Sequence, residues 1–186
     1  MDLGLKDKVV LVTGSSRGIG RATAAAFLAE GAEVILTGRS EAKLEETVQE
    51  LQRFSPTAAR AHSFSGDLTQ PAVRQELFDW IEVTFGGRLD VLVNNLGGSA
   101  GGGINRTTDE EGERTFQLNF WSALDLARRA IPLLRRQGGG AIIFITSIWG
   151  RESGGKLAYN AAKAAEISLS KNLARELAAE NIRVNC

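Results

Sequence analysis

Tyr159 and Lys163 stand four residues apart in a stretch, 157–180, that reads as one long helix. Side chains at that spacing share a helix face. A free phenol ionises at about pH 10. An ammonium beside it favours the phenolate and lowers that value, and a tyrosine tuned in this way can give or take a proton near neutral pH. Taken alone, the pair also reads as an ordinary half-exposed helix surface. Ser147 follows the apolar run 141–146, and its hydroxyl can hold a substrate oxygen and polarise a carbonyl. A second stretch offers different chemistry. Thr13-Gly14-Ser15-Ser16-Arg17-Gly18-Ile19-Gly20 lies between the apolar run 9–12 and a helix-forming segment from Arg21 onward. Glycines let a backbone approach an anion closely, and the first turn of a helix leaves N–H groups without partners at the positive end of its dipole. The stretch suits a phosphate; a tight strand-to-helix turn with no ligand is the alternative.

The elements that must position these groups follow from periodicity. Strand 9–12 leads through the glycine turn into a helix that reaches about residue 30, with Gly31 as its stop. Residues 33–37 read as a second strand, 38–40 as a turn with Ser40 as N-cap, and the next helix carries Leu44, Val48 and Leu51 on one face until Ser55-Pro56. A weaker strand, 59–64, exits through Gly66-Asp67-Leu68. Thr69 and Pro71 then start a helix bearing Val73, Leu77, Trp80, Ile81 and Phe85, closed by Gly86-Gly87. Strand 90–93 runs into Asn94-Asn95-Leu96-Gly97-Gly98. Five of the nine residues 97–105 are glycine, so a mobile loop is expected there. Residues 109–137 read as helix with Phe116, Phe120, Leu124, Ala127 and Ile131 as its stripe and a kink at Pro132. A fifth strand spans 141–146, and a sixth begins at 182. Alternating strands and helices call for a Rossmann-like doubly wound α/β fold, a parallel sheet in three layers, here as a single domain over 1–186. Ligands in such sheets sit beyond the carboxyl ends of the strands. Residues 13–20, 38–40, 66–68, 94–98 and 146–149 all leave strands at that edge.

Bulk properties narrow the classes. The 22 basic and 22 acidic residues cancel, and no basic stripe suggests nucleic acid. One cysteine, Cys186, forbids an internal disulfide and fits a reducing, cytoplasmic setting. A lone His62 without a Cys/His cluster gives no metal site. No signal peptide or membrane span is visible.

Thr-Gly-x-x-x-Gly-Ile-Gly at 13–20, Asn-Asn-x-Gly at 94–97, Ser147, and Tyr-x-x-x-Lys at 159–163, in this order over the whole chain, resemble the short-chain dehydrogenase/reductase family. The resemblance implies hydride transfer between a nicotinamide dinucleotide and a small-molecule alcohol or carbonyl substrate. Tyr159 would act as general acid or base and Ser147 would orient the substrate oxygen. Lys163 would bind the nicotinamide ribose and depress the Tyr159 pKa. Asn119 matches the family's fourth catalytic position, where it would hold a water linking Lys163 to solvent; read without the family, it is a mid-helix polar residue bonded to nearby backbone. The cofactor would lie on Gly14, Ser16, Arg17, Gly18, Ile19 and Gly20, with Asp67 at the adenine amine, Leu68 by the ring, Asn95 to Gly97 along the adenosine ribose, and Tyr159 with Lys163 also in contact with it.

Charge at the end of strand two favours NADP over NAD. A ribose 2′-hydroxyl is usually held by a carboxylate there, whereas this chain has Thr37-Gly38-Arg39. Arg39 and Arg17 can pair with a 2′-phosphate instead, or serve as ordinary surface arginines. Leu96 departs from the alanine more common in the family. Family members also continue past Arg-Val-Asn with a Pro-Gly turn, a helical lid and a final strand. The resemblance therefore implies that 1–186 is an N-terminal portion with the lid and last strand outside it. A non-catalytic nucleotide-binding protein, or an inactive fragment of an enzyme, is the alternative. Trp149 and loop 98–105 are expected at the pocket mouth, where they would favour an apolar or bulky group, unless Trp149 is core. Family enzymes pair through helices 109–137 and 157–180, so a homo-oligomer, dimer or tetramer, is expected.

Overall fold

The computed structural model describes residues 3–55 and 60–186. Six parallel strands form one sheet in the order β3-β2-β1-β4-β5-β6: β1 Val9–Val12, β2 Glu33–Gly38, β3 Ala61–Ser65, β4 Val91–Asn94, β5 Gly140–Phe144 and β6 Ile182–Asn185. Between them run α1 Gly18–Ala29, α2 Glu41–Phe54, α3 Pro71–Phe85, α4 Asp109–Phe116, α5 Ser122–Arg136 and α6 Leu157–Glu176. β1 pairs with both β2 and β4, so the chain reverses its direction of sheet growth beside β1. That is where open α/β sheets form their ligand crevice.

The layers follow from the two-residue period of strands. Val9 and Leu11 join a core with Leu77, Ile81, Leu126 and Ala130 from α3 and α5, with Leu169 and Leu173 of α6 packed against it. Val10 and Val12 point the other way, into a core with Ala24 and Leu28 of α1 and Leu44 of α2. All four side chains of β1 are buried, which is why the central strands read as continuous apolar runs rather than alternating ones.

Several sequence expectations are adjusted. The strand expected at 59–64 is observed as Ala61–Ser65, and Pro56 and Ala59 lie outside the described residues. The helix expected over 109–137 is interrupted by a π turn, Gln117–Trp121, between α4 and α5. The backbone N–H of Ser122 reaches back to the Gln117 carbonyl, and the Ser122 hydroxyl donates to the same oxygen at 2.5 Å. A π turn inserts one residue into the helical register and so rotates the buried face. Thr115, Asn119, Ser122, Ala123, Leu126, Ala127 and Ala130 face inward, while Phe116, Phe120, Leu124 and Ile131 of the expected stripe are half-buried. α5 continues through Pro132 to Arg136. The helix expected to reach 180 ends at Glu176 and gives way to a short 3₁₀ turn, Ala178–Glu180. The glycine-rich segment after β4 is tied in place. Gly102 N donates to Thr107 Oγ1, Leu157 N donates to the Gly102 carbonyl, and Asn119 bonds Gly98 through both its amide atoms.

Candidate active site

The glycine turn closes the carboxyl end of β1 and is held from both neighbours. Ser15 N donates to the Thr37 carbonyl on β2 and Thr37 N to Ser15 Oγ. On the β4 side, Thr13 Oγ1 accepts from Asn95 N at 2.9 Å and Leu96 N at 3.0 Å, and Asn95 Nδ2 donates to the carbonyls of Thr13 and Gly14. Gly14 and Gly18 have φ of +61° and +59°, a region that favours glycine. Gly20 serves packing instead: a Cβ there would lie 2.5 Å from Asn95 Nδ2 and 2.7 Å from the Gly14 carbonyl. A Cβ on Gly18 would meet nothing within 4 Å. Arg17 occupies the N-cap of α1 without a side-chain capping bond, and no acid sits in the first turn. By contrast, Ser40 caps α2 and Thr108 with Glu111 forms a capping box on α4. The first-turn N–H groups of α1 thus have no side-chain cap and face an open cradle.

That cradle is part of a cavity of about 760 Å³ whose lining includes Gly14, Ser16, Arg17, Gly18, Ile19, Arg39, Asp67, Leu68, Asn95 and Gly97, which are the sequence-expected cofactor residues except Gly20, Tyr159 and Lys163. Leu96 lines it too. Among the described residues no ion pair holds Arg17 or Arg39. Asp67 Oδ1 is already engaged, accepting from Thr69 N and Thr69 Oγ1. The residues present fit a dinucleotide: an uncapped helix start for phosphate, an apolar Leu68 beside a carboxylate for a base, and two guanidiniums without an ion pair among the described residues, Arg39 just after β2 and Arg17 in the turn after β1.

Two side chains outside the sequence expectation hold the far wall. Arg74, 4% exposed, donates from Nη1 to the carbonyls of Leu68 and Thr69 and from Nε to Asp125 at 2.5 Å. Gln117 Nε2 also donates to the Thr69 carbonyl. Burial alone would raise the Asp125 carboxyl, but hydrogen bonds from Arg74 and Arg129 outweigh it and hold the group below the usual range.

The proton-transfer candidates gather at the inner end. Lys163 is buried on α6, and its Nζ donates to the Ile145 carbonyl at 3.0 Å and lies 5.8 Å from the centroid of the half-buried Tyr159 ring. Ser147 caps a 3₁₀ turn, Ile148–Gly150, its Oγ accepting from Trp149 N at 3.2 Å. This turn packs backbone to backbone on α6, since a Cβ on Gly150 would sit 2.8 Å from the Lys163 carbonyl carbon. Asn119 is fully buried in the π turn and bonds the Gly98 and Thr115 carbonyls, the backbone attachment anticipated as its alternative reading. Gly97 joins the two halves of the site. A Cβ on it would lie 2.8 Å from Asn119 Oδ1 and 3.4 Å from Lys163 Nζ, and Gly97 itself lines the cavity. Trp149 is 38% exposed rather than core, and Ile104, Ile148 and Leu157 are exposed as well. Sequence reading passed over Glu166, whose Oε2 is 2.5 Å from Lys163 Nζ. The signal available was its three-residue spacing from Lys163. Among the described residues no group of acids, histidines or cysteines could hold a metal ion, and no helix is long and apolar enough to cross a membrane.

Comparison with known proteins agrees with this fold. The family described as short chain dehydrogenase matches residues 8–186. An uncharacterized oxidoreductase of Bacillus subtilis is 37% identical, aligned over all of this chain and 68% of its own length. A 3alpha-hydroxysteroid dehydrogenase of Mediterraneibacter gnavus is 34% identical over all of this chain and 74% of its own length. Among solved structures, L-sorbose reductase from Gluconobacter frateurii, complexed with NADPH and L-sorbose, superposes with a TM-score of 0.93 at 35% identity, covering 100% of this chain and 70% of that one.

Proposed function

The chain belongs to the short-chain dehydrogenase family, and from that membership we propose that it transfers a hydride between NADP(H) and an alcohol or carbonyl substrate, with Tyr159 handling the proton at the substrate oxygen. The observation that carries the reading is the position of Gly97. It lines the dinucleotide-sized cavity and at the same time abuts Asn119 Oδ1 and Lys163 Nζ, so cofactor cleft and proton-transfer pair meet at one residue that a side chain would obstruct.

When bound, the dinucleotide supplies or takes up the hydride. The α1 N-terminus with Gly14 to Ile19 would hold its phosphates, Leu68 and Asp67 its base, and Arg39 with Arg17 a 2′-phosphate. In reduction the Tyr159 hydroxyl protonates the carbonyl oxygen; in oxidation the phenolate takes the hydroxyl proton. Ser147 Oγ already accepts the Trp149 N–H, which leaves its own proton to donate to the substrate oxygen. The Lys163 ammonium favours the phenolate form. Asn119 fixes the Gly98 backbone and with it the space between itself and Lys163. NADP preference is supported by the two unpaired arginines and by the NADPH in the L-sorbose reductase complex. Relatives of 34% and 35% identity act, by their names, on a hydroxysteroid and on L-sorbose, so the common chemistry is a carbonyl or secondary alcohol rather than one compound. Exposed Trp149, Ile148 and Leu157 support an apolar or bulky substituent on it. Exposed Ala161, Ala164 and Ser168 on α6 support a homo-oligomer paired through that helix.

Incubation with NADPH and a panel of ketones and aldehydes tests the reading. Carbonyl-dependent loss of NADPH, faster than loss of NADH, is expected. Intact NADPH binding with no turnover across the panel would instead leave a nucleotide-binding protein without catalysis.

A further inference from the structure

A carboxylate lies against the proton-transfer pair, and the reaction as described does not use it. Tyr159, Lys163 and Glu166 occupy successive turns of α6 on one face. Glu166 is fully buried, Lys163 is 3% exposed, and Glu166 Oε2 stands 2.5 Å from Lys163 Nζ. Among the described residues neither Glu166 oxygen takes a hydrogen bond in good geometry; the ammonium is its charged partner. Lys163 therefore shares its charge between the carboxylate on one side and the Tyr159 ring, 5.8 Å away, on the other. A buried carboxylate is costly even when paired, and packing alone at this position would be served by leucine.

We propose that Glu166 is a positioning residue of the proton-transfer pair, whose carboxylate holds and partly neutralises the Lys163 ammonium and so sets how strongly that ammonium favours the Tyr159 phenolate. With Glu166 ionised, part of the ammonium's field is cancelled at the phenol; with Glu166 protonated, the full charge acts on it. Burial pushes the Glu166 carboxyl up to about 7 against the pull of Lys163, so both forms are populated near neutrality. The other elements packed on α6 bring few charges to the pair. α4 carries Asp109, Glu110, Glu111, Glu113 and Arg114, and β6 carries Arg183, all at least partly exposed; Lys163 is the charged group that acts on Glu166. β5 presents the Ile145 carbonyl and the π turn presents neutral Asn119.

The inference rests on the reading of Tyr159 as the proton-transferring group, and its test can be separated from that reading. Tyr159 is the only tyrosine in the chain, so phenolate absorbance in the near ultraviolet, with Tyr159→Phe as blank, titrates that side chain without any cofactor. In Glu166→Gln the midpoint is expected about half a pH unit or more below that of the wild type; an equal or higher midpoint overturns the proposal. Should the variant fail to fold, carbon NMR of glutamate-labelled wild-type protein decides. One carboxyl titrating near 7, with the Tyr159 ring resonances responding at the same pH, is expected, and all carboxyls titrating in their ordinary range overturns it. Turnover retained in Tyr159→Phe would reject the underlying reading, whereas equal midpoints reject the role of Glu166 alone.

Discussion

At the residue scale the site depends on where single charges are buried. Glu166 gives this a measurable form. Its carboxyl holds a proton up to about pH 7 in the folded chain, against an ordinary value of 4.5. Between those values the folded chain keeps a proton that the unfolded chain releases, so this group makes stability fall as pH rises through the window. Denaturant melts at a series of pH values are therefore expected to show wild type losing about 2–3 kcal/mol relative to Glu166→Gln between about pH 4.5 and 8; a pH-independent difference would contradict the burial account. Arg39 is the other decisive charge. Nothing among the described residues pairs with it in an ion pair, and it lines the cavity at the end of β2. Losing a charge-assisted contact to phosphate costs about 1.5–3 kcal/mol, so Arg39→Ala should weaken NADPH binding by about tenfold or more and leave NADH nearly unchanged. Equal weakening of both cofactors would mean that Arg39 does not read the 2′ position.

At the element scale, helix ends and one irregular turn do the positioning. α1 starts without a side-chain cap while α2 and α4 are capped. This was visible in the sequence, because Arg17 stands where Ser40 and Thr108 stand in α2 and α4 and glycines surround it. The parallel sheet and the glycine turn were likewise legible, since alternating apolar runs and helical stripes leave few arrangements. The π turn was not. Nothing local in Gln117-Leu118-Asn119-Phe120-Trp121 departs from helical preference, and the turn depends on contacts that form only on folding: the Ser122 hydroxyl on Gln117 and the Asn119 amide on Gly98 and Thr115. Glu166 was missed for a related reason. Three residues from a lysine on a helix is the spacing of a common surface ion pair, and only the packing of α6 against the sheet buries it. Arg74 was hidden too, because its partners lie on the preceding segment, at Leu68 and Thr69, and on a different helix, at Asp125. It links α3, α5 and the loop that lines the cavity, and breaking a buried ion pair is strongly destabilising. Arg74→Met is expected to lower unfolding free energy by about 3 kcal/mol in denaturant melts and to weaken NADPH binding as residues 68–69 lose their anchor. A change within about 0.5 kcal/mol, the range of ordinary surface substitutions, would place the anchor elsewhere.

At the scale of the whole molecule, one parallel sheet gathers residues from distant parts of the chain onto one rim. The first half contributes the phosphate cradle, the arginines and the base wall; the second contributes Asn119, Ser147, Tyr159 and Lys163. They meet because β1 and β4 are neighbours, which brings Thr13 to Asn95 and Gly97 to the inner end of the cleft. Zero formal net charge leaves no strong overall field, so recognition of an anionic cofactor falls to the local features of that rim. The central claim is that this rim performs proton-coupled hydride transfer through Tyr159. Turnover of the best carbonyl substrate with NADPH, compared between wild type and Tyr159→Phe at matched cofactor saturation, tests it most directly. The variant should keep NADPH affinity and lose turnover by about a hundredfold to ten-thousandfold; turnover within a few fold of wild type would contradict the account.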